Sequence, residues 1–274
     1  MEKHAFLVIA HHNFGILKRL LRLLDHPSHD IFIHIDRKVK HFDFAAFGGI
    51  CKESRIYFTD RRIDVRWGHK SQVLCEMLLF ETAYKKDTYA WFHLISGVDL
   101  PLCGMSEFDE FFAGKQKSFL NLAKETTRLD RERIAFYRVQ NERLDRLCVW
   151  VQRRLGVCRT KQMTVKKGAN WASLYRDSVR VLLEKKALIR KMTLASVCAD
   201  EVYKQTILWN FARETIYFDQ NGNTNNFRYT DWSAGGNSPK TLDETDYEKI
   251  VRSGQLFARK FDETLSEKLI QKLM

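Results

Sequence analysis

The N-terminal third of the chain alternates short, densely apolar runs with longer stretches whose apolar residues recur every three to four positions. Ala5 to Ala10 is apolar throughout, the pattern of a strand buried on both faces. Phe14 to Leu24 follows with Ile16, Leu17, Leu20, Leu21, Leu23 and Leu24 at helical spacing. Asp30 to Ile35 predicts a second strand, Ile56 to Phe58 a third, Ser71 to Tyr84 a helix and Tyr89 to Ile95 a fourth strand. Strands separated by helices in this way predict βαβ units on a largely parallel sheet, an α/β fold. Such sheets bind ligands beyond the carboxyl ends of their strands. Three polar segments fall there: His11-His12-Asn13, Asp36-Arg37-Lys38 and Ser96-Gly97-Val98-Asp99.

Asp130 to Arg159 then reads as a long, charged helical excursion containing Tyr137 and Trp150. Asn170 to Tyr175 is extended, Asp177 to Lys186 helical, and Asp200 to Phe211 helical with Asp200 as N-cap. Asn221 to Asn226 is a polar loop, and a last helix runs from about Asp262. Three prolines and thirteen glycines leave little room for a long linker. The expectation is one domain over 1–274, with a nucleotide-binding half (1–125), a helical insertion (130–160) and a catalytic and acceptor half (165–274).

Forty-six Lys and Arg against 34 Asp and Glu give a net charge of +12, compatible with nucleic acid, an anionic membrane surface or phosphorylated substrates. No nucleic-acid-binding module or basic-aromatic array accompanies the charge, so no nucleic acid partner is expected. The richest basic stretch, Arg153 to Lys161 with Lys166-Lys167, follows the apolar run Leu147 to Val151, an arrangement suited to headgroups or a lipid-linked acceptor. The six cysteines lack metal-binding or redox spacing and read as buried free thiols. The apolar run at the N-terminus is shorter than a signal core or a membrane span, so the expectation is a cytoplasmic chain, with peripheral contact at the inner face of the membrane as a further expectation.

Several residue types suggest chemistry. Glu201, one residue after the predicted N-cap, would be held ionised by the helix dipole and ready to accept a proton. Arg228 and Lys260 each place a cation in an apolar segment, costly when buried unless it meets an anion such as a nucleotide diphosphate. Asp36, at the end of the second strand, could accept hydrogen bonds from a base or ribose. No two Asp residues are separated by a single residue, so the usual Mn²⁺- or Mg²⁺-holding pair of sugar-nucleotide transferases is missing, and no metal or other cofactor is expected. Gly-x-x-x-x-Gly-Lys and Gly-x-Gly-x-x-Gly are absent too, against nucleotide hydrolases and dinucleotide enzymes.

As a set, these segments resemble the core-2/I-branching β-1,6-N-acetylglucosaminyltransferase and peptide xylosyltransferase family, glycosyltransferase family 14, in a compact, bacterial-looking form. The blocks run nearly end to end: Ala5 to His11, Ile33 to Lys38, Val65 to Ser71, Phe92 to Leu102, Gly168 to Trp171, Ala199-Asp200-Glu201, Phe227 to Trp232 and Leu256 to Asp262. The resemblance implies a GT-A-type, Rossmann-like fold and an inverting, metal-independent transfer from a UDP-sugar to a hydroxyl. It puts the catalytic base on Glu201, with Ala199 where the family has proline, the diphosphate ligands on Arg228 and Lys260, and the uracil-side contact on Asp36. Trp67, Asp231 and Trp232 are candidates for the acceptor or pocket. The implied donor is UDP-GlcNAc, with UDP-xylose or another UDP-hexose as the alternative, and the acceptor a glycan or lipid-linked glycan of surface polysaccharide assembly. A basic nucleic-acid-binding protein is the reading from a different class.

Overall fold

A computed structural model describes residues 2–139 and 141–274; Gln140, within the predicted helical excursion, lies outside the described residues. The chain resolves into two compact units, neither of them continuous in sequence: residues 1–62, 86–115 and 227–274 form the first, 63–85 and 116–226 the second.

The first unit carries the parallel sheet that the apolar runs predict. Its strands β1 (His4–Ala10), β2 (His29–Ile35), β3 (Arg55–Phe58) and β4 (Trp91–Ser96) lie in the order β3-β2-β1-β4. Every residue of β1 is buried, as expected of a strand with both neighbours paired and both faces covered. The β1–β2 register runs from His4↔His29 to Ala10↔Ile35, so the two strands begin and end level. The Phe14–Leu23 helix buries Ile16, Leu17, Leu20 and Leu21, each contributing on the order of 1.5–3 kcal/mol of transfer free energy. A small sheet completes the unit: Asp99–Pro101 pairs antiparallel with Phe257–Arg259, which pairs parallel with Arg228–Thr230. The final helix is shorter than predicted, Glu267–Leu273, because Asp262 turns its carboxylate onto the Thr264 and Leu265 N–H groups of a preceding turn.

The second unit is largely helical. The long excursion is two helices, Arg128–Ala135 and Glu142–Arg154. A capping box between Thr127 and Asp130 starts the first, and Asn141 starts the second. Ala135, Phe136 and Val149 form a small core where they meet. Ser71–Lys86 and Arg176–Glu184 are helical, as their periodicity predicts, and Ala172–Tyr175 is a strand. The predicted helix at Asp200 begins differently. Cys198 is left-handed (φ 46°), Ala199–Glu201 form a single 3-10 turn, and the α-helix starts only at Tyr203. Asp200 is therefore not an N-cap.

The six cysteines are free thiols, but only Cys75 is buried; Cys158 is exposed and the others are half-buried. Among the described residues no helix is long and apolar enough to cross a membrane.

Candidate active site

In the first unit the carboxyl ends of β1 and β2 present a polar rim. Asp36 directly follows β2 and is buried; its Oδ1 accepts the Lys38 N–H at 2.8 Å, and Lys38 Nζ lies 3.5 Å from Oδ2. The Asp36 carbonyl accepts from Arg62 Nη2 at 2.7 Å, so main chain and side chain are both fixed. His11 and His12 follow β1. Burial lowers the pKa of both; the charge of Lys260 is the next largest cause for His12, and at His11 Lys38 and Lys260 add to the effect of His12. Both imidazoles are thus neutral near pH 7, and the positive charge of the rim rests on lysine and arginine side chains. Lys260 directly follows the Phe257–Arg259 strand, and its Nζ donates to Ser238 Oγ at 2.8 Å.

Helix N-termini commonly hold phosphate in α/β folds, but here the start of the Phe14–Leu23 helix is already engaged. The Gly15 N–H donates to Glu263 Oε1 at 2.7 Å and Asn13 Nδ2 to Asp262 Oδ2 at 3.0 Å.

Arg228, expected with Lys260 on a diphosphate, is 7 % exposed, with its guanidinium carbon 4.6 Å from the centre of the Phe257 ring. Burial pushes its pKa down to about 10, against the opposing charge of Asp99. The fully buried Asp99 also takes Arg259 Nε on Oδ1 at 3.1 Å, the Ser96 N–H on Oδ2 at 3.1 Å, and the Ser96 hydroxyl. The sequence argument that a cation here must meet an anion holds, but Asp99 is an anion already in the fold. Asp231 accepts the Ser233 N–H on Oδ1 at 2.7 Å, and hydrogen bonds from Ser233 lower its pKa. Trp232 stands beside it, exposed.

In the second unit Glu201 ends the 3-10 turn. Its Oε2 accepts from Arg133 Nη1 at 2.7 Å, and 36 % of the side chain is exposed. Two glycines brace the turn through the main chain. The Gly168 N–H donates to the Glu201 carbonyl at 2.9 Å, and the Cys198 N–H donates to the Gly68 carbonyl at 2.8 Å. A Cβ at position 168 would lie 1.7 Å from the Asn121 carbonyl oxygen, so only glycine fits. Gly68 is left-handed (φ 67°), and a Cβ there would come within 3.3 Å of Cys198 Sγ. Trp67, next to it and 73 % exposed, therefore stands beside the turn that carries Glu201.

Behind the turn lies a buried polar lattice. Lys204 Nζ donates to Glu76 Oε2 (2.5 Å), Asn170 Oδ1 (2.5 Å) and the Asp200 carbonyl (3.2 Å), and the Tyr203 hydroxyl donates to Glu76 Oε2 (2.8 Å). Burial and then the Glu76 charge raise the Asp200 pKa to about 7, with Lys204 opposing.

The structure thus brings Asp36 and Lys260 to the strand ends of one unit, places Glu201 in the other on a turn that follows Cys198, which is hydrogen-bonded to the residue after Trp67, and buries Arg228. Sequence reasoning missed Arg133 and the Glu76–Lys204 pair, and placed Asp99 at a strand end without its ion pair to Arg259. A usable signal was present for Glu76, a carboxylate in helical register with the buried Val73, Phe80 and Ala83.

Residues 4–253 match the family described as Core-2/I-Branching enzyme. The chain is 24% identical over 297 residues to xylosyltransferase 2 of Pan troglodytes and of Homo sapiens, an alignment that covers 97% of this chain and 33% of those proteins. It spans about a third of the length of these relatives. Among solved structures, mouse xyloside xylosyltransferase 1 aligns with a TM-score of 0.37 at 11% identity, covering 79% of this chain and 84% of that one. The bifunctional glycosyltransferase WbbM aligns with a TM-score of 0.45 at 9% identity, covering 94% of this chain and 46% of that one.

Proposed function

Because the chain belongs to the core-2/I-branching enzyme family of glycosyltransferases, we propose that it moves a sugar from a UDP-sugar to a hydroxyl of a glycan acceptor by one inverting displacement that needs no metal. GlcNAc is the first candidate for the sugar, and xylose, which the names of the relatives suggest, is the second. Assembly of a bacterial surface polysaccharide is the setting in which a glycan or lipid-linked glycan would serve as acceptor.

In this mechanism Glu201 takes the acceptor hydroxyl proton as that oxygen bonds to the anomeric carbon. The bond from that carbon to the diphosphate oxygen breaks, and UDP leaves with the electron pair. An α-linked donor gives a β-linked product. Lys260 meets the charge that develops on the diphosphate, and Asp36 accepts hydrogen bonds on the uracil side. Arg228 contributes from behind, through Asp99 and the Arg259-bearing strand that leads into Lys260.

The observation that carries the reading is Glu201: a part-exposed carboxylate with Oε2 held by Arg133 and its main chain clamped by Gly168. A base needs such fixation and such access. Calorimetric titration with UDP, UDP-GlcNAc, UDP-xylose and UDP-glucose in EDTA tests it. Binding that survives chelation supports the metal-free reading and ranks the donors; a requirement for Mn²⁺ overturns it.

Membrane contact also has a specific observation behind it. Leu144, Leu147 and Trp150 are exposed at three-residue spacing along the Glu142–Arg154 helix, with Arg143, Arg146 and Arg154 in the same segment. Apolar side chains among arginines suit an anionic bilayer surface. Native chain should sediment with anionic vesicles and not with neutral ones, and Trp150→Ser should reduce that binding severalfold; equal sedimentation of the two proteins would remove the assignment.

A further inference from the structure

The amino ends of β1 and β2 carry a cluster that the transfer reaction does not use. The register pairs His4 with His29, the first residues of the two strands, so their side chains leave the same face of the sheet side by side. Asp109, from the Met105–Phe112 helix, meets them there. Asp109 Oδ1 lies 2.6 Å from His29 Nε2 and 3.7 Å from His4 Nε2, and the three donor atoms lie within 4.8 Å of one another. Both histidines are buried.

The opposite ring nitrogens are also engaged. His29 Nδ1 is 3.0 Å from the Leu24 carbonyl oxygen, which can only accept, so this nitrogen carries a proton. His29 Nε2 then faces a carboxylate, and something positive, a proton or a metal ion, must lie between them. His4 Nδ1 is 2.9 Å from His93 Nε2, and an ion on His4 Nε2 would leave the His4 proton on Nδ1, donated to His93. A ring nitrogen ligating while its partner nitrogen donates to a carbonyl or another acceptor is the usual arrangement of metal-bound histidine.

We propose that His4 Nε2, His29 Nε2 and the Asp109 carboxylate form a binding site for one divalent transition-metal ion of the zinc class. Zinc–nitrogen and zinc–oxygen bonds of about 2.0–2.1 Å put tetrahedral donors roughly 3.3 Å apart. The His29–Asp109 separation would open and the His4–Asp109 separation close, each by less than about 1 Å, to reach that value. A cavity of about 450 Å³, lined by Glu2, His4, His26, Asp109 and Glu110, gives a route of entry, and its two glutamates favour a cation. Three protein ligands leave a fourth position for water. His26 and Ser28 act outside this set: the Ser28 hydroxyl donates to Asp109 Oδ2 at 2.5 Å, and His26 Nδ1 lies 2.8 Å from Ser28 Oγ. The seven residues of β1 separate this cluster from His11 and the rim by roughly 20 Å, so the ion would stabilise the unit and take no part in transfer.

The test uses the full chain, stripped with chelator and dialysed, then titrated with Co²⁺ and Zn²⁺; its readout is spectroscopic and does not depend on nucleotide binding. Native chain should take up one Co²⁺ with visible d–d absorption, release it to Zn²⁺, and gain about 5 °C in unfolding midpoint at a hundredfold excess of Zn²⁺ over Kd. Asp109→Asn should weaken binding roughly a hundredfold or more, and His12→Ala should leave it unchanged. Absence of the d–d band or of the midpoint shift overturns the proposal, as does binding that Asp109→Asn leaves intact. Should that variant fail to fold, X-ray absorption of Zn²⁺-loaded native chain decides: a nitrogen and oxygen shell supports the site, and sulfur in the shell overturns it.

Discussion

The interior behind the Ala199–Glu201 turn and the strand-end rim of the other unit carry charge in opposite ways. In the interior, Glu76 and Lys204 are both fully buried, and their polar atoms are shared with Tyr203, Asn170 and the Asp200 carbonyl. At the rim, Lys260 holds a hydroxyl and its histidine neighbours are neutral. A buried pair cannot change partners without leaving an uncompensated charge, so it fixes geometry. A rim lysine can exchange its hydroxyl partner for a phosphate oxygen at little cost, so it remains available for chemistry. Between Lys204 and Lys260, burial and not residue type makes the difference.

The largest expected effect sharpens that contrast within the second unit, where Glu201 stands on the solvent side of the same turn. Glu201→Gln should slow transfer by about a hundredfold to ten-thousandfold, with an unfolding midpoint within about 1 °C of native. Near-native rates, measured with the donor that the titrations rank first, would dismiss Glu201 as the base. Glu76→Gln should do the reverse, lowering stability by about 3–5 kcal/mol and the midpoint by roughly 10 °C, as seen by calorimetry. A midpoint unchanged by that variant would break the comparison at its root.

Next come the two cations proposed for the donor site, Arg228 and Lys260, which differ in burial. Lys260→Ala should weaken UDP binding roughly tenfold to hundredfold at unchanged midpoint, the loss of one charged hydrogen bond. Arg228→Ala should lower the midpoint as well, since it leaves Asp99 buried with less compensating charge. If both variants lose affinity alone, Arg228 faces the ligand after all. The smallest effect concerns pH. His12 has a lowered pKa in the free chain, and a bound diphosphate would raise it, so binding takes up protons and strengthens as pH falls. UDP-GlcNAc affinity should rise about threefold from pH 7.5 to 5.5, and His12→Asn should flatten the profile.

The parallel sheet was legible because its strands are continuous apolar runs separated by periodic helices. Local pattern was sufficient there. It failed at Asp200, where the sequence offers a good cap, because the turn is set by distant backbone groups at Gly68 and Gly168. The Arg228 segment was read as a cation in apolar surroundings, and the charge of Asp99, which acts on it, lies far away in sequence, where no spacing rule connects the two. His4 and His29 become neighbours only through strand register, which a composition survey that found no metal-binding spacing could not see. The residues of the rim were visible as polar endings of predicted strands; the order in which they face solvent or the interior was not.

The main-chain bracing of the Glu201 turn has a practical meaning for redesign. The turn that carries Glu201, the proposed base, is held at the Glu201 carbonyl by the amide of position 168 and at the Cys198 amide by the carbonyl of position 68, and the side chains of neither glycine exist to be altered. A library that varies Trp67, the pocket candidate, should therefore leave the two glycines untouched. The scaffold separates what may be varied from what must be kept at single-residue resolution, with the two kinds of position adjacent in the chain.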